Sequence, residues 1–171
     1  MGYDAKKLIL GLGGSATNDG GMGIACALGF KFEDANGLFL KPCGASLVKI
    51  KKIHKPKQLN HIAIVIACDV DNPLFGKNGA AYVYAPQKGA DSNQVLQLDQ
   101  GLRNLAQVIY QETGKKIAHI PGVGAAGGVA ALLNSYFKVT MVKGIDLLIK
   151  HSKISKTLKR SDLLITGEGK I

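Results

Sequence analysis

Between Gly11 and Gly23 the chain sets Ser15, Thr17, Asn18 and Asp19 among glycines at 11, 13, 14, 20, 21 and 23. Two hydroxyls, a carboxamide and a carboxylate thus share a loop whose backbone can approach a ligand closely and offer N–H groups to an anion. The plainer reading is a strand-to-helix turn capped by its own polar residues. A second cluster, Asp69, Asp71 and Asn72 ahead of Pro73, puts two carboxylates and a carboxamide after an apolar run. It reads either as site chemistry or as an Asx turn. Glu168 stands between Gly167 and Gly169 near the end of the sequence. Phosphoryl transfer needs donors or cations around phosphates, carboxylates to hold Mg²⁺, and an acid or base beside the attacking hydroxyl. Several loops of this chain supply the first two.

These residues need elements to hold them. Leu8–Leu10 is an apolar run that feeds the first loop, and 21–28 reads as a short helix of small residues closed by Gly29. A short strand is expected over 30–33, a turn at Asn36-Gly37, and a helical turn over 45–50 in an otherwise irregular stretch. Residues 61–68, HIAIVIAC, form the strongest strand signal, continuous enough to predict burial on both faces. Residues 79–85 are read as a strand or sheet edge before the Pro86–Gly89 turn. From Asp91, which can cap with Gln94, a helix follows whose stripe is Val95, Leu98, Leu102, Leu105 and Ile109, and Gly114 closes it. A second glycine-rich entry to a helix spans 121–137, a short helix 144–151, and a last buried strand 162–166. The recurrence of strand, glycine loop and helix predicts a three-layer α/β fold with a mostly parallel sheet. Ligands gather at the carboxyl ends of strands in such folds, where Asp19, Asp69, Asp71 and Glu168 all fall.

Composition narrows the function classes. The chain has 171 residues and a formal charge of +10, carried mostly by Lys, with Arg only at 103 and 160 and no Trp. That is a poor set for stacking bases, so no nucleic acid is expected, and the run Lys150, Lys153, Lys156, Lys159, Arg160 reads as a solvated helix face. Attraction of small anionic substrates is the more economical use of the charge. No apolar run approaches a membrane span and the first residues lack a signal-peptide layout, so a cytoplasmic protein away from membranes is expected. Cys26, Cys43 and Cys68 make no CxxC pair and are expected to be buried, reduced thiols. The four histidines show no metal-ligand spacing.

Gly11, Gly13 and Ala16 satisfy G-x-G-x-x-A after a strand, with Asp34 at the end of the next strand candidate, as a dinucleotide site would want. A nicotinamide-dependent oxidoreductase is therefore the competing enzyme class. Against it, the loop continues through Thr17, Asn18 and Asp19 before any helix begins. Gly122, Gly124 and Gly127 match the pattern more literally but follow a poor strand, so close packing or a second anion cradle is expected there. Neither loop has the Lys-Ser or Lys-Thr ending of a P-loop.

The stretches GLGGSATNDGGMGIACALGFKF, IACDVDNPLFGKNGAA, APQKGA, PGVGAAGG and DLLITGEGKI, in this order, resemble the bacterial glycerate kinase family over nearly the whole chain. The resemblance implies ATP-dependent phosphorylation of D-glycerate to a phosphoglycerate, with Mg²⁺, in a two-domain α/β enzyme. It implies substrate or phosphate contacts from Gly13, Gly14, Ser15, Thr17, Asn18, Asn72 and Glu168. Catalytic roles fall to Asp69, Asp71 and Asp19, and the metal to Asp69 and Asp71. The family's Asp-Ser-x-Lys element before the first motif and its Asp-x-Gln element after the last are absent from this sequence. One α/β unit over 1–171, a fragment of the family's central part, is therefore expected, with a non-catalytic ligand-binding remnant as the alternative. D-glycerate and ATP are the expected partners, and a homodimer is left open.

Overall fold

The computed structural model describes residues 5–57, 62–163, 165 and 167. In chain order the elements are β1 (Lys7–Gly11), α1 (Met22–Ala27), β2 (Lys31–Glu33), a 3-10 turn (Gly44–Lys49), β3 (Lys52–His54) and β4 (Ala63–Ala67). They continue with α2 (Ala80–Tyr84), a 3-10 turn (Pro86–Lys88), α3 (Ser92–Thr113), α4 (Ala125–Gly128), α5 (Ala130–Tyr136), β5 (Lys138–Val142), α6 (Gly144–His151) and α7 (Ile154–Leu158). Strands β1, β4 and β5 form a parallel sheet with β4 in the middle, in register Leu8↔Ile64 and Ile66↔Met141. Strands β2 and β3 make a separate antiparallel ribbon. Helices between parallel strands give the three-layer α/β architecture that the sequence predicts.

Helix α3 is the spine of the core. Its first turn is closed by a reciprocal capping box between Asp91 and Gln94, and Gly114 ends it at φ 71°. Val95, Leu102, Leu105 and Ile109 are buried as the stripe predicts, and Leu98 is partly so. Gly101 lets the Gly44–Lys49 turn lie directly on the helix, since a Cβ there would stand 2.6 Å from the Leu47 Cβ. Asn104 Nδ2 then donates to the Leu47 and Ile50 carbonyls at 2.8 and 2.9 Å. Asp99, buried on the same helix, accepts from Gly76 N at 2.6 Å and pairs with Arg103 Nε at 2.8 Å.

The structure corrects several expectations. Residues 79–85 form a helix rather than a strand: alanine favours helix, and buried Ala80, Ala81 and Ala85 let α2 sit close against its neighbours while Tyr82 and Val83 face out. Strand β4 is buried on one face only. Ile64 and Ile66 enter the core, whereas Val65 and its neighbour Ile9, 45% exposed, lie on a more open face. Asp162, Leu163 and Ile165 take no strand conformation, Leu163 and Ile165 are 76% and 87% exposed, and the sheet's strand order leaves them no partner among the described residues. Leu164 and Thr166 lie outside the described residues. Of the three thiols only Cys68 is buried; Cys26 is half-buried, and Cys43 is exposed before a 3-10 turn, 3.3 Å from Ser46 Oγ. Strands β3 and β5 carry no expectation from the sequence, being short and mixed with lysines.

The two glycine-rich turns meet. Gly20 N donates to Gly127 O at 3.0 Å, and a Cβ on Gly127, whose φ is 73°, would collide with the Thr17 carbonyl. A Cβ on Gly21 would stand 2.6 Å from the Val129 carbonyl oxygen. We expect Gly127→Ala to lower unfolding stability by at least ~2 kcal/mol in urea melts, from left-handed strain plus displacement of the 17–20 backbone. A loss below ~0.5 kcal/mol would show that the two turns are not pressed together.

Candidate active site

The loop after β1 and the loop after β4 leave adjacent parallel strands at their carboxyl ends, side by side as Leu12 N donates to Ala67 O at 2.9 Å. In α/β sheets that is where ligands bind. Gly13, Gly14 and Ser15 from the first loop and Val70 from the second enclose a cavity of about 140 Å³. Tyr84 and Lys88 close it from the α2 side, and Ala125 and Ala126 from the second glycine turn. Ala126 takes φ 52°, the one positive φ among the described non-glycine residues. Such a conformation costs about 1–2 kcal/mol and persists only where its surroundings impose it.

Asp19 lies deeper. Its carboxylate is buried and turned back on its own loop: Oδ1 accepts from Gly21 N and Oδ2 from Gly23 N, each at 2.9 Å. The carboxylate therefore holds the entry to α1. Asn18 donates from Nδ2 to Ala80 O at 3.4 Å, while its Oδ1 is buried and has no partner among the described residues. Thr17 is exposed, and its carbonyl rather than its hydroxyl makes the recorded contact.

In the second loop Asp69 is exposed and accepts from Gly144 N at 2.8 Å, tying the end of β4 to the start of α6. Asp71 is exposed and lines a different cleft of about 180 Å³, together with Lys143 and Pro121. Asn72 is committed on both sides of its amide: Nδ2 donates to Asn78 O at 2.8 Å and Oδ1 accepts from Tyr84 Oη at 2.6 Å. Its carbonyl takes Gly124 N at 2.9 Å. The structure thus brings Gly13, Gly14 and Ser15 together, keeps Asn72 as the bracket behind them, and sets Asp71 on the neighbouring cleft. Glu168 lies outside the described residues.

Sequence reasoning assigned no role to Lys88. Its ammonium donates to Ser15 Oγ at 3.0 Å and to Thr17 O at 2.6 Å, and it stands 6.0 Å from the Tyr84 ring centre. Burial pushes its pKa below the ordinary lysine value, and the negative charge of Asp19 opposes that shift in part. The only signal in the sequence was the APQKGA stretch itself. No spacing rule links position 88 to a loop more than seventy residues earlier. The run Lys150, Lys153, Lys156, Lys159, Arg160 is exposed throughout, but it is split between α6, α7 and the turns beside them rather than forming one helix face.

The same geometry answers the dinucleotide reading. Helix α1 starts only at Met22, well past Gly11, and the strand beside β1 is β4. Asp34 belongs to the β2 ribbon turn, where its Oδ1 accepts from Asn36 N and Leu38 N at 2.8 and 3.0 Å. The second glycine motif is packing: Gly124 presses on the Pro73 carbonyl, and a Cβ on Gly122 would stand 2.8 Å from the Val70 carbonyl.

Fold and site together define an α/β protein whose polar loops converge at the carboxyl ends of parallel strands. A sequence profile of the Glycerate kinase family matches residues 1–171, and the chain belongs to that family. It is 42% identical to a glycerate kinase of Bacillus cereus over 170 residues, which is 98% of this chain and 45% of that protein. It is 39% identical over 170 residues to the glycerate 2-kinase of Escherichia coli, again 98% of this chain and 45% of the relative. The crystal structure of a Salmonella typhimurium LT2 protein described as glycerate kinase 2 superposes with a TM-score of 0.85 at 37% identity, covering 96% of this chain and 45% of that one. The chain therefore spans less than half the length of these relatives. The oxidoreductase alternative is overturned by this membership.

Asp19→Ala leaves the Gly21 and Gly23 N–H groups without their acceptor, and an unmet buried donor costs about 1–3 kcal/mol. We expect a stability loss of about 2–4 kcal/mol in chemical denaturation, with Asp19→Asn, which keeps one acceptor oxygen, losing roughly half of it. Wild-type stability in both variants would remove Asp19 from the loop's support.

Proposed function

We propose that this segment carries part of the active site for ATP-dependent phosphorylation of D-glycerate to a phosphoglycerate. One observation carries the reading: in a chain of the glycerate kinase family, Gly13–Ser15, Val70 and Lys88 surround one small cavity at the strand ends. Phosphoryl transfer asks a protein mainly for positioning and for charge stabilisation. Gly13 and Gly14 offer main-chain N–H groups to phosphoryl oxygens, and Ser15 and Thr17 offer hydroxyls. Asp19 acts through the loop it braces, and Asn72 through the loop it brackets. Glu168 is assigned a substrate or phosphate contact on sequence alone.

Asp69 and Asp71 supply the carboxylates, for the ion or for the glycerate hydroxyl. Magnesium takes oxygen ligands and commonly needs only one or two carboxylates beside substrate phosphates. Among the described residues no three His, Cys, Asp or Glu groups meet to form a cage. Asp71 and the free oxygen of Asp69 would hold an ion that arrives with the nucleotide. When bound, it would neutralise phosphate charge.

The test is ADP release with D-glycerate and ATP-Mg²⁺, measured on a full-length protein carrying this segment. Glycerate-dependent release is expected, and its absence would overturn the reading. In that protein Asp69→Ala and Asp71→Ala should each lower kcat by ~10²-fold or more. Near wild-type rates in both variants would reduce the 69–72 loop to a structural turn.

A further inference from the structure

The glycine loop divides two cavities, and Lys88 lines both. The larger, about 490 Å³, lies between the Gly44–Lys49 turn and the start of α3, with Asn18, Val48, Gln97 and Leu98 in its wall. Its chemistry is uneven. Lys88 is the one ionisable residue lining it among the described residues, and no carboxylate or aromatic ring lines it. Two of the three ammonium protons are spent on Ser15 Oγ and Thr17 O, which leaves one donor. Asn18 stands in the same wall, and its Oδ1 is buried without a donor among the described residues. A desolvated cation with a donor to spare calls for an anion. A buried acceptor without a partner calls for a hydroxyl or an amine. Without an aromatic wall the cavity offers no stacking platform to a base.

We propose that this cavity seats the hydroxy acid itself, with Lys88 Nζ holding the carboxylate and the Asn18 side-chain amide meeting a hydroxyl. The assignment rests on the kinase reading above and adds the acid's place and orientation to it. Lys88, fastened to the loop at Ser15, then links the carboxylate anchor to the smaller cavity where the phosphoryl group is bound. Burial has lowered the affinity of Lys88 for its proton, with Asp19 the carboxylate whose charge opposes this. Acid binding should therefore weaken as pH rises through a value below that of an ordinary lysine.

The experiment is a titration of D-glycerate, without nucleotide, into the ¹⁵N-labelled chain, following the Asn18 side-chain amide by NMR. Parallel titrations use glycerol and inorganic phosphate. A saturable shift with glycerate and none with glycerol is expected. Lys88→Met should weaken glycerate by ~10-fold or more, as loss of a charge-assisted contact predicts. Lys88→Arg should keep most of the affinity and lose the alkaline fall. Val48→Trp, which adds bulk to the cavity from an exposed position, should block binding; it also serves if Lys88→Met does not fold. The assignment is overturned by no saturable shift, by unchanged affinity in Val48→Trp or in a folded Lys88→Met, or by a phosphate shift as large as that of glycerate. Glycerate-dependent turnover with an unchanged KM in Lys88→Met would sink the assignment and spare the kinase reading. Asn18-centred glycerate binding with no turnover in the full-length protein would do the reverse.

Discussion

The site depends on a backbone-to-backbone contact between two glycine-rich turns that are far apart in the chain. Gly127 lies against the Thr17 carbonyl, Gly21 against the Val129 carbonyl, and Gly20 N is bonded to Gly127 O. None of these positions leaves room for a Cβ. The contact fixes where the loop after β1 can run, and so where Ser15, Thr17 and Asn18 stand. Glycines that invite a ligand-binding interpretation are thus, at several positions, spent on letting two main chains touch. Gly11, Gly13 and Gly14, by contrast, have open space around them.

Charged and polar side chains divide in the same way. Asp19 accepts from two N–H groups of its own loop, and Asn72 bonds the Asn78 carbonyl and the Tyr84 hydroxyl. Asp99 does the same on the core side, holding the Gly76 turn from within α3. Less committed are the exposed carboxylate of Asp71 and one oxygen of Asp69, whereas the Ser15 hydroxyl and the Lys88 ammonium are bonded to each other. A site of this kind is assembled by residues that never touch the ligand, since a loop must be rigid before it can position anything.

Lys88 and Asp19 brace the glycine loop at two points, one through the Thr17 carbonyl and Ser15 hydroxyl, the other through the N–H groups of Gly21 and Gly23. The helix α2 that carries Lys88 toward the loop is the segment whose strand expectation failed. In a strand its alternating side chains would have pointed to two faces. In a helix Ala80, Ala81 and Ala85 share the buried side and deliver the Pro86–Gly89 turn to the cavity edge.

Residue order alone determined the long-range plan: α3 with its cap, stripe and closing glycine, the central strand β4, a parallel α/β sheet, and polar loops at strand ends. Those signals are local, because a capping box, a 3.6-residue stripe or a β-branched run needs no distant partner to be recognised. It also determined the family, through motifs ordered along almost the whole chain. Tertiary structure decided the rest, for reasons of packing and pairing. Whether 79–85 became helix depended on which neighbours its alanines met, and whether 162–166 could be a strand depended on a partner edge. Which of the two exposed carboxylates in one loop is tied back to the protein was set by the bond that the Gly144 N–H donates to Asp69 Oδ1. That a lysine in a proline-glycine turn reaches Ser15 is a matter of folding over seventy residues, a distance across which no local pattern carries information.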